Sequence, residues 1–217
     1  MTDASDRRVA FVTGASRGIG RAIAHRLASD GRHVVLASRS EGPLNDVKAS
    51  IEAAGGSASV CAVDVGDGDA LAAAIEGIAK ERGRLDILVN NAGITRDNLI
   101  MRMSDDEFDE VIRVNLRSAF VACRAAARPM MKGKFGRIVS IASTSGLVGN
   151  AGQANYAASK SALTGLTRTL ARELGGKGVT ANVVAPGFVE TDMTKDLPEA
   201  VIAGANDMIA VKRLGAP

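Results

Sequence analysis

The chain has a single tyrosine, Tyr156, in the run Asn155-Tyr156-Ala157-Ala158-Ser159-Lys160. A free phenol titrates near ~10, so it exchanges a proton at neutral pH only where a neighbouring cation favours the phenolate. Lys160 is the candidate cation, because positions i and i+4 of a helix share one face. Ser143 lies upstream in Ile141-Ala142-Ser143. A tyrosine and a lysine at this spacing also occur as solvated surface neighbours, and Ser143 among Ser140, Thr144 and Ser145 also reads as a turn residue. The chemistry therefore needs an independent companion signal.

That signal is at the other end of the chain. Val9-Ala10-Phe11-Val12-Thr13 is a short apolar run favouring a strand, and it leads into Gly14-Ala15-Ser16-Arg17-Gly18-Ile19-Gly20 and then into an amphipathic stretch with Ile19, Ile23 and Leu27 in helical register. Strand, glycine turn and helix in this order let the backbone approach a pyrophosphate. The helix N-terminus adds unsatisfied N–H groups and a positive dipole end. The Gly-x-x-x-Gly-x-Gly spacing differs from Gly-x-Gly-x-x-Gly, so the loop differs in detail; a turn that binds nothing is the plain alternative.

The elements that must position these residues alternate along the chain. Strands read at 9–13, 32–38, 58–63, 86–90, 136–142 and 179–185, and helices at 18–30, 43–54, 67–82, about 104–132 and 155–175. Such alternation predicts an α/β fold with a doubly wound parallel sheet, helices on both faces, in one domain over residues 1–217. Ligands bind such sheets at the strand C-terminal ends. Those ends carry Gly14 to Gly20, Ser38-Arg39, Asp64-Val65, Asn90-Asn91-Ala92-Gly93, Ser143 and Pro186-Gly187. At the second of them an acid would bond the adenosine ribose hydroxyls; Ser38 and Arg39 stand there instead, and Arg17 lies in the glycine turn. Two guanidinium groups favour the 2′-phosphate of NADP(H), unless Arg39 is only a solvated loop cation.

Composition fits a globular enzyme and excludes other classes. Of 217 residues, 46% are hydrophobic and 24% charged, which argues against disorder, and 27 basic against 24 acidic residues gives a net charge of +3 without the charge blocks expected of a nucleic-acid binder. The N-terminal Met1 to Arg8 lacks the apolar core of a signal peptide, and no apolar run is long enough for a bilayer, so a cytoplasmic protein with no membrane partner is expected. Cys61, Cys123, His25 and His33 are solitary, so no metal is expected, and the cysteines read as packing residues.

These residues resemble the short-chain dehydrogenases/reductases. The matching elements are Thr13-Gly14-x-x-x-Gly18-x-Gly20, Asn90-Asn91-Ala92-Gly93, Asn115, Ser143, Tyr156-x-x-x-Lys160 and Pro186-Gly187. Longer blocks, Asn91 to Leu99 with Arg102-Met103, Gly149 to Tyr156, and Val184 to Met193, are similar to the 3-oxoacyl-[acyl-carrier-protein] reductases of fatty-acid synthesis. The resemblance runs from about residue 8 to the end. It implies a Rossmann-type fold and NADPH-dependent reduction of the C3 ketone of a 3-oxoacyl thioester. In that mechanism Tyr156 is the general acid and Ser143 bonds the same oxygen. Lys160 lowers the tyrosine pKa and bonds the nicotinamide ribose, and Asn115 holds a water that relays protons to Lys160. A helix residue satisfied by a neighbouring carbonyl is the alternative for Asn115. The resemblance further implies Asp64 on the adenine amine beside the Val65 backbone, Asn91 and Gly93 at the two riboses with Ala92 between them, and Val189 on the carboxamide with Thr191 beside it. For Asp64 a solvated loop aspartate is the alternative.

The implied partner is an acidic acyl carrier protein. Lys132, Lys134, Arg137 and Lys177 are candidates for a basic rim at the active-site mouth, or equally solubilising charges. Residues 190–212, with Thr191, Lys195, Pro198 and Gly204 near turns, read as a lid. Relatives continue past Pro217 with a further helix and a final strand. The expectation is a C-terminally truncated chain with an open edge at 179–185, or a partner replacing the strand, and a homotetramer or dimer if the C-terminus is complete. The alternatives in function are the same reduction of acetoacetyl-CoA, a sugar or a cyclic ketone, or a non-catalytic subunit that only binds the cofactor.

Overall fold

The computed structural model of the chain describes residues 7–195 and 199–217. In chain order the elements are β1 (Val9–Thr13), α1 (Gly18–Ser29), β2 (His33–Ser38), α2 (Glu41–Ala53), β3 (Ser57–Ala62), α3 (Gly68–Glu81), β4 (Ile87–Asn90) and α4 (Asp105–Ile112). A π-helical turn (Arg113–Arg117) then leads into α5 (Ser118–Lys132), β5 (Gly136–Ile141), α6 (Ser145–Val148), α7 (Ala154–Leu174), β6 (Val179–Val184), α8 (Asp192–Lys195) and α9 (Glu199–Met208). The expected strands agree to within a residue or two. The expected helix at about 104–132 is continuous through α4, the π turn and α5, and the π turn shifts its register part-way along. Pro198, one of the expected lid-turn residues, lies outside the described residues.

All six strands are parallel and stand in the order β3-β2-β1-β4-β5-β6. The order reverses between β1 and β4, and that switch point opens a crevice beyond the strand C-terminal ends. Among the described residues β6 pairs only with β5, so it forms an edge.

Strand alternation feeds two apolar layers. Val9 and Phe11 of β1 with Val35 of β2 join Leu71 and Ile75 of α3 and Val121 and Met130 of α5. Ala10 and Val12 with Val34 and Leu36 face the other way, onto Ala24 of α1 and Leu44, Val47 and Ile51 of α2. With both faces covered, the central strands are apolar throughout rather than alternating, which is why β1 is buried at every position. Cys123 is fully buried in the first layer, and Cys61 packs against that layer, the packing role expected of both. No helix among the described residues is long and apolar enough to cross a membrane.

The opposite edge of the sheet, where the strands begin, is braced by polar groups. The buried Asp86 carboxylate accepts from the Val9 N–H at 2.8 Å and takes a two-point contact from Arg84 at 2.8 and 3.0 Å. His33 at the start of β2 is buried, with Ser57 Oγ 2.8 Å from Nδ1 and Ser59 Oγ 3.0 Å from Nε2. The Arg8 and Arg137 guanidinium groups lie 3.6 and 4.1 Å from the Phe135 ring centroid.

Candidate active site

A cleft of about 1100 Å³ opens at the strand C-terminal ends. It is lined by Gly14, Ser16, Arg17, Gly18, Ile19 and Gly20 from the first turn, Ser38 and Arg39 after β2, and Asp64 and Val65 after β3. Asn91, Ala92 and Gly93 after β4, Ser143 after β5, Tyr156 and Lys160 from α7, and Pro186, Gly187, Val189 and Thr191 after β6 complete the wall. Of the expected site residues only Ala15 and Asn115 stand outside it: Ala15 is fully buried in the β1–β2 layer, its N–H donating to the Ala37 carbonyl at 3.3 Å.

The glycine turn is built for close approach. Gly14 and Gly18 have φ of +65° and +53°, a region that disfavours side chains. At Gly20 a Cβ would come within 2.5 Å of Asn91 Nδ2. That amide is committed, donating to the carbonyls of Thr13 at 3.0 Å and Gly14 at 3.2 Å. Thr13 Oγ1 in turn accepts from the N–H groups of Asn91 and Ala92 at 3.0 and 3.1 Å. The Asn91 side chain thus fastens the turn, and what it offers a ligand is backbone. Thr191 packs against the same turn, its Cγ2 3.2 Å from the position of a Cβ on Gly18.

Ser38, Arg39, Ser40 and Pro43, which line the cleft from the end of β2 onward, include no acid. Arg39 is exposed there, and Arg17 makes an exposed ion pair with Asp192 of α8 at 3.6 Å. Such a pair holds little energy, and a phosphate can displace it. One oxygen of Asp64 accepts from the Gly66 N–H at 2.8 Å, a local turn.

On the catalytic side α7 presents Tyr156 and Lys160 to one space, with Nζ 5.7 Å from the ring centroid. Asn155, fully buried, sets the start of this helix: its Nδ2 donates to the Arg96 and Glu107 carbonyls at 2.8 and 3.2 Å, and its Oδ1 accepts from the Tyr156 N–H at 2.7 Å. The Lys160 ammonium, 4% exposed, donates to the Ile141 carbonyl at 2.7 Å, and burial pulls its pKa down to about 8. Burial pushes the Tyr156 phenol above its usual value, a hydrogen-bonding Ser143 side chain pulls it back in part, and the Asp97 carboxylate pushes it up again.

Asn115 sits in the π turn, a feature frequent at functional sites. Its Oδ1 accepts from the Ile94 N–H at 2.8 Å, and its Nδ2 donates to the Ile94 carbonyl at 3.0 Å and to Ser159 Oγ at 3.1 Å. The side chain therefore braces the loop after β4 against α7, and the Ile94 carbonyl it meets is a backbone carbonyl of the kind the plainer alternative called for. Oδ1 and Lys160 Nζ both lie 3.3 Å from the position of a Cβ on Gly93, so this glycine keeps open a space between them.

Sequence reasoning missed Thr13 Oγ1, Asn155 and Ser159 as braces, because a polar residue shows its burial only once the fold is known. The expected basic rim is also corrected. Lys132, Lys134 and Arg137 precede or begin β5 and Lys177 precedes β6, so they stand at the strand starts, on the sheet edge opposite the cleft.

A family model described as short chain dehydrogenase matches residues 8–201. The chain belongs to the short-chain dehydrogenases. A 3-oxoacyl-[acyl-carrier-protein] reductase FabG of Salmonella typhimurium is 49% identical over 96% of this chain and 84% of its own length, and one of Escherichia coli is 48% identical over the same shares. A FabG of Pseudomonas aeruginosa is 46% identical over 96% of this chain and 84% of its own. Among solved short-chain dehydrogenases, a candidate NAD(P)-dependent gluconate 5-dehydrogenase from Beutenbergia cavernae, with NADP bound at low occupancy, superposes with a TM-score of 0.93 at 41% identity, over 97% of this chain and 84% of that one.

Proposed function

We propose that this chain is a cytoplasmic NADPH-dependent reductase that converts the 3-keto group of a 3-oxoacyl thioester, carried on an acyl carrier protein, into the 3-hydroxyacyl thioester of fatty-acid synthesis. The observation that carries this reading is the meeting of Ser143, Tyr156 and Lys160 in the glycine-turn cleft of a chain so similar along its length to FabG proteins. A homodimer or homotetramer belongs to the same proposal.

The residues present fit the cofactor. The left-handed glycines and the bare Gly93 leave backbone-lined space where side chains would obstruct it, and Arg39 stands where a 2′-phosphate needs a cation. When bound, NADPH supplies the hydride that reduces the C3 ketone to an alkoxide. Ser143 hydrogen-bonds that oxygen and orients it, and Tyr156 gives it the phenolic proton. A phenol held above its usual pKa is protonated at neutral pH, which is the form reduction consumes. Lys160 Nζ, able to leave the Ile141 carbonyl, holds the nicotinamide ribose and offsets the negative charge left on the tyrosine.

The test is NADPH oxidation with acetoacetyl thioester on carrier protein and on CoA. Native protein is expected to turn over carrier-bound substrate faster, to prefer NADPH over NADH, and to lose about 10²–10⁴-fold in kcat in Tyr156→Phe while still binding NADPH. Tight NADPH binding with no turnover of either thioester would defeat the proposal.

A further inference from the structure

Three side chains lining the cleft form a relay beside the start of α7. Asn150 Nδ2 donates to Gln153 Oε1 at 3.0 Å, and Gln153 Nε2 donates to Asp97 Oδ2 at 3.0 Å. The backbone beneath is clamped: the Asn98 N–H donates to the Gly152 carbonyl at 2.8 Å, and Asn98 and Gln153 form an isolated parallel bridge. Gln153 is the residue before α7, three positions from Tyr156. Asn150 and Gln153 therefore aim the Asp97 carboxylate, and all three line the cleft that Tyr156 lines.

The charge balance of this part of the cleft leaves Asp97 prominent. Arg96, its neighbour, is held in a two-point pair by Glu110 at 2.7 and 3.1 Å. Glu107 turns its carboxylate to Asn98 and to the Ser104 cap. Lys160 is engaged at the Ile141 carbonyl. Arg113 lines the cleft from the π turn and reaches toward Gly66, and Arg17 with Asp192, Arg39 and Asp64 line its cofactor half.

We propose that Asp97, aimed by Gln153, is a positioning residue whose carboxylate keeps the Tyr156 phenol in its proton-bearing, donor form. Its catalytic consequence rests on the reductase reading; its effect on the tyrosine does not. Asp97 repels a phenolate and has no such quarrel with the phenol. In the open cleft water screens this repulsion, and a filled cleft strengthens it. Burial is the main reason the Tyr156 pKa is raised, and the Asp97 carboxylate adds a smaller rise of its own.

The experiment exploits a property of the chain: Tyr156 is its only tyrosine and it has no tryptophan, so tyrosinate absorbance reads this residue alone. Absorbance is followed by rapid pH jump, before alkaline unfolding, with and without NADP⁺. Asp97→Asn is expected to lower the midpoint by about 0.3–0.5 units in the free protein and by more with NADP⁺, while Asp97→Glu restores it. Gln153→Ala, which frees the carboxylate, should give a smaller shift in the same direction, and it serves should Asp97→Asn not fold. An unmoved midpoint in either folded variant, in both free and NADP⁺-bound protein, overturns the inference even where turnover proceeds. A moved midpoint in a protein that reduces neither thioester upholds it and removes the reductase reading instead.

Discussion

Lys160 Nζ lies 2.7 Å from the Ile141 carbonyl oxygen, tying α7 to the last residue of β5, two positions before Ser143. A buried ammonium satisfied by one carbonyl is held less firmly than one in water, and its pKa falls to about 8. Because the folded value lies below the ordinary 10.5, the ammonium is present below pH about 8 and is lost in the free protein as pH rises through that value. NADPH affinity, followed by nucleotide fluorescence, should therefore weaken as pH rises through about 8. Lys160→Met should bind more weakly and lose this pH dependence.

Gly20→Ala should abolish the cradle without unfolding the sheet. The new methyl would crowd the Gly14 carbonyl and the Asn91 amide, neither of which can move without breaking the bonds to Thr13 and Gly14. Overpacking of this kind costs about 1–3 kcal/mol. Calorimetry should find NADPH binding reduced by about tenfold or more, with a modest drop in melting temperature; native-like affinity in the variant would show that the turn does not hold the dinucleotide.

Arg39 stands exposed at the end of β2, where Ser38 holds the position an acid would need to bond the ribose hydroxyls. Arg39→Asp puts an acceptor for ribose hydroxyls and a repulsive charge in its place. The ratio of kcat/KM for NADPH over NADH should fall by about tenfold to a hundredfold, chiefly through KM for NADPH. Steady-state kinetics with both nucleotides measures it, and an unchanged ratio would move the phosphate contact elsewhere.

His33 gives a stability prediction at the far edge of the sheet. Burial first, then the Arg82 and Arg7 charges, lower its pKa from 6.5 to about 4. The folded state thus resists a proton that the unfolded state takes up below about 6.5, so stability is undiminished above that pH and declines as pH falls toward about 4. Urea denaturation should show a loss on the order of 1–3 kcal/mol over this window that His33→Gln, able to keep bonds to Ser57 and Ser59, reduces.

Much of the site was legible because its chemistry is local. The Tyr156–Lys160 pair needs only a helix, and the strand, turn and helix at Val9 to Ala24 need only apolar patterning and glycines. Parallel alternation then predicts that six loops share one edge, and the cleft gathers them there. The same logic was available for Lys134 and Lys177, since residues before parallel strands must lie at the opposite edge. Two features were not legible. The rise of the Tyr156 pKa depends on how deeply the phenol is buried, and the relay from Asn150 to Asp97 joins residues far apart in the chain. Neither leaves a periodic trace.

The π-helical turn at Arg113–Arg117 works as a phase shifter. One surplus residue turns the chain by about 100° relative to an unbroken α-helix. The face that α4 buries through Val111 and the face that α5 buries through Val121, Ala122 and Ala125 are thereby set out of step. Removing a single residue there would restore one α-helical register, which could not aim Asn115 at Ile94 and Val121 at the sheet together. The winding of one helix thus couples the brace of the site to the packing of the core, and neither can be retuned alone.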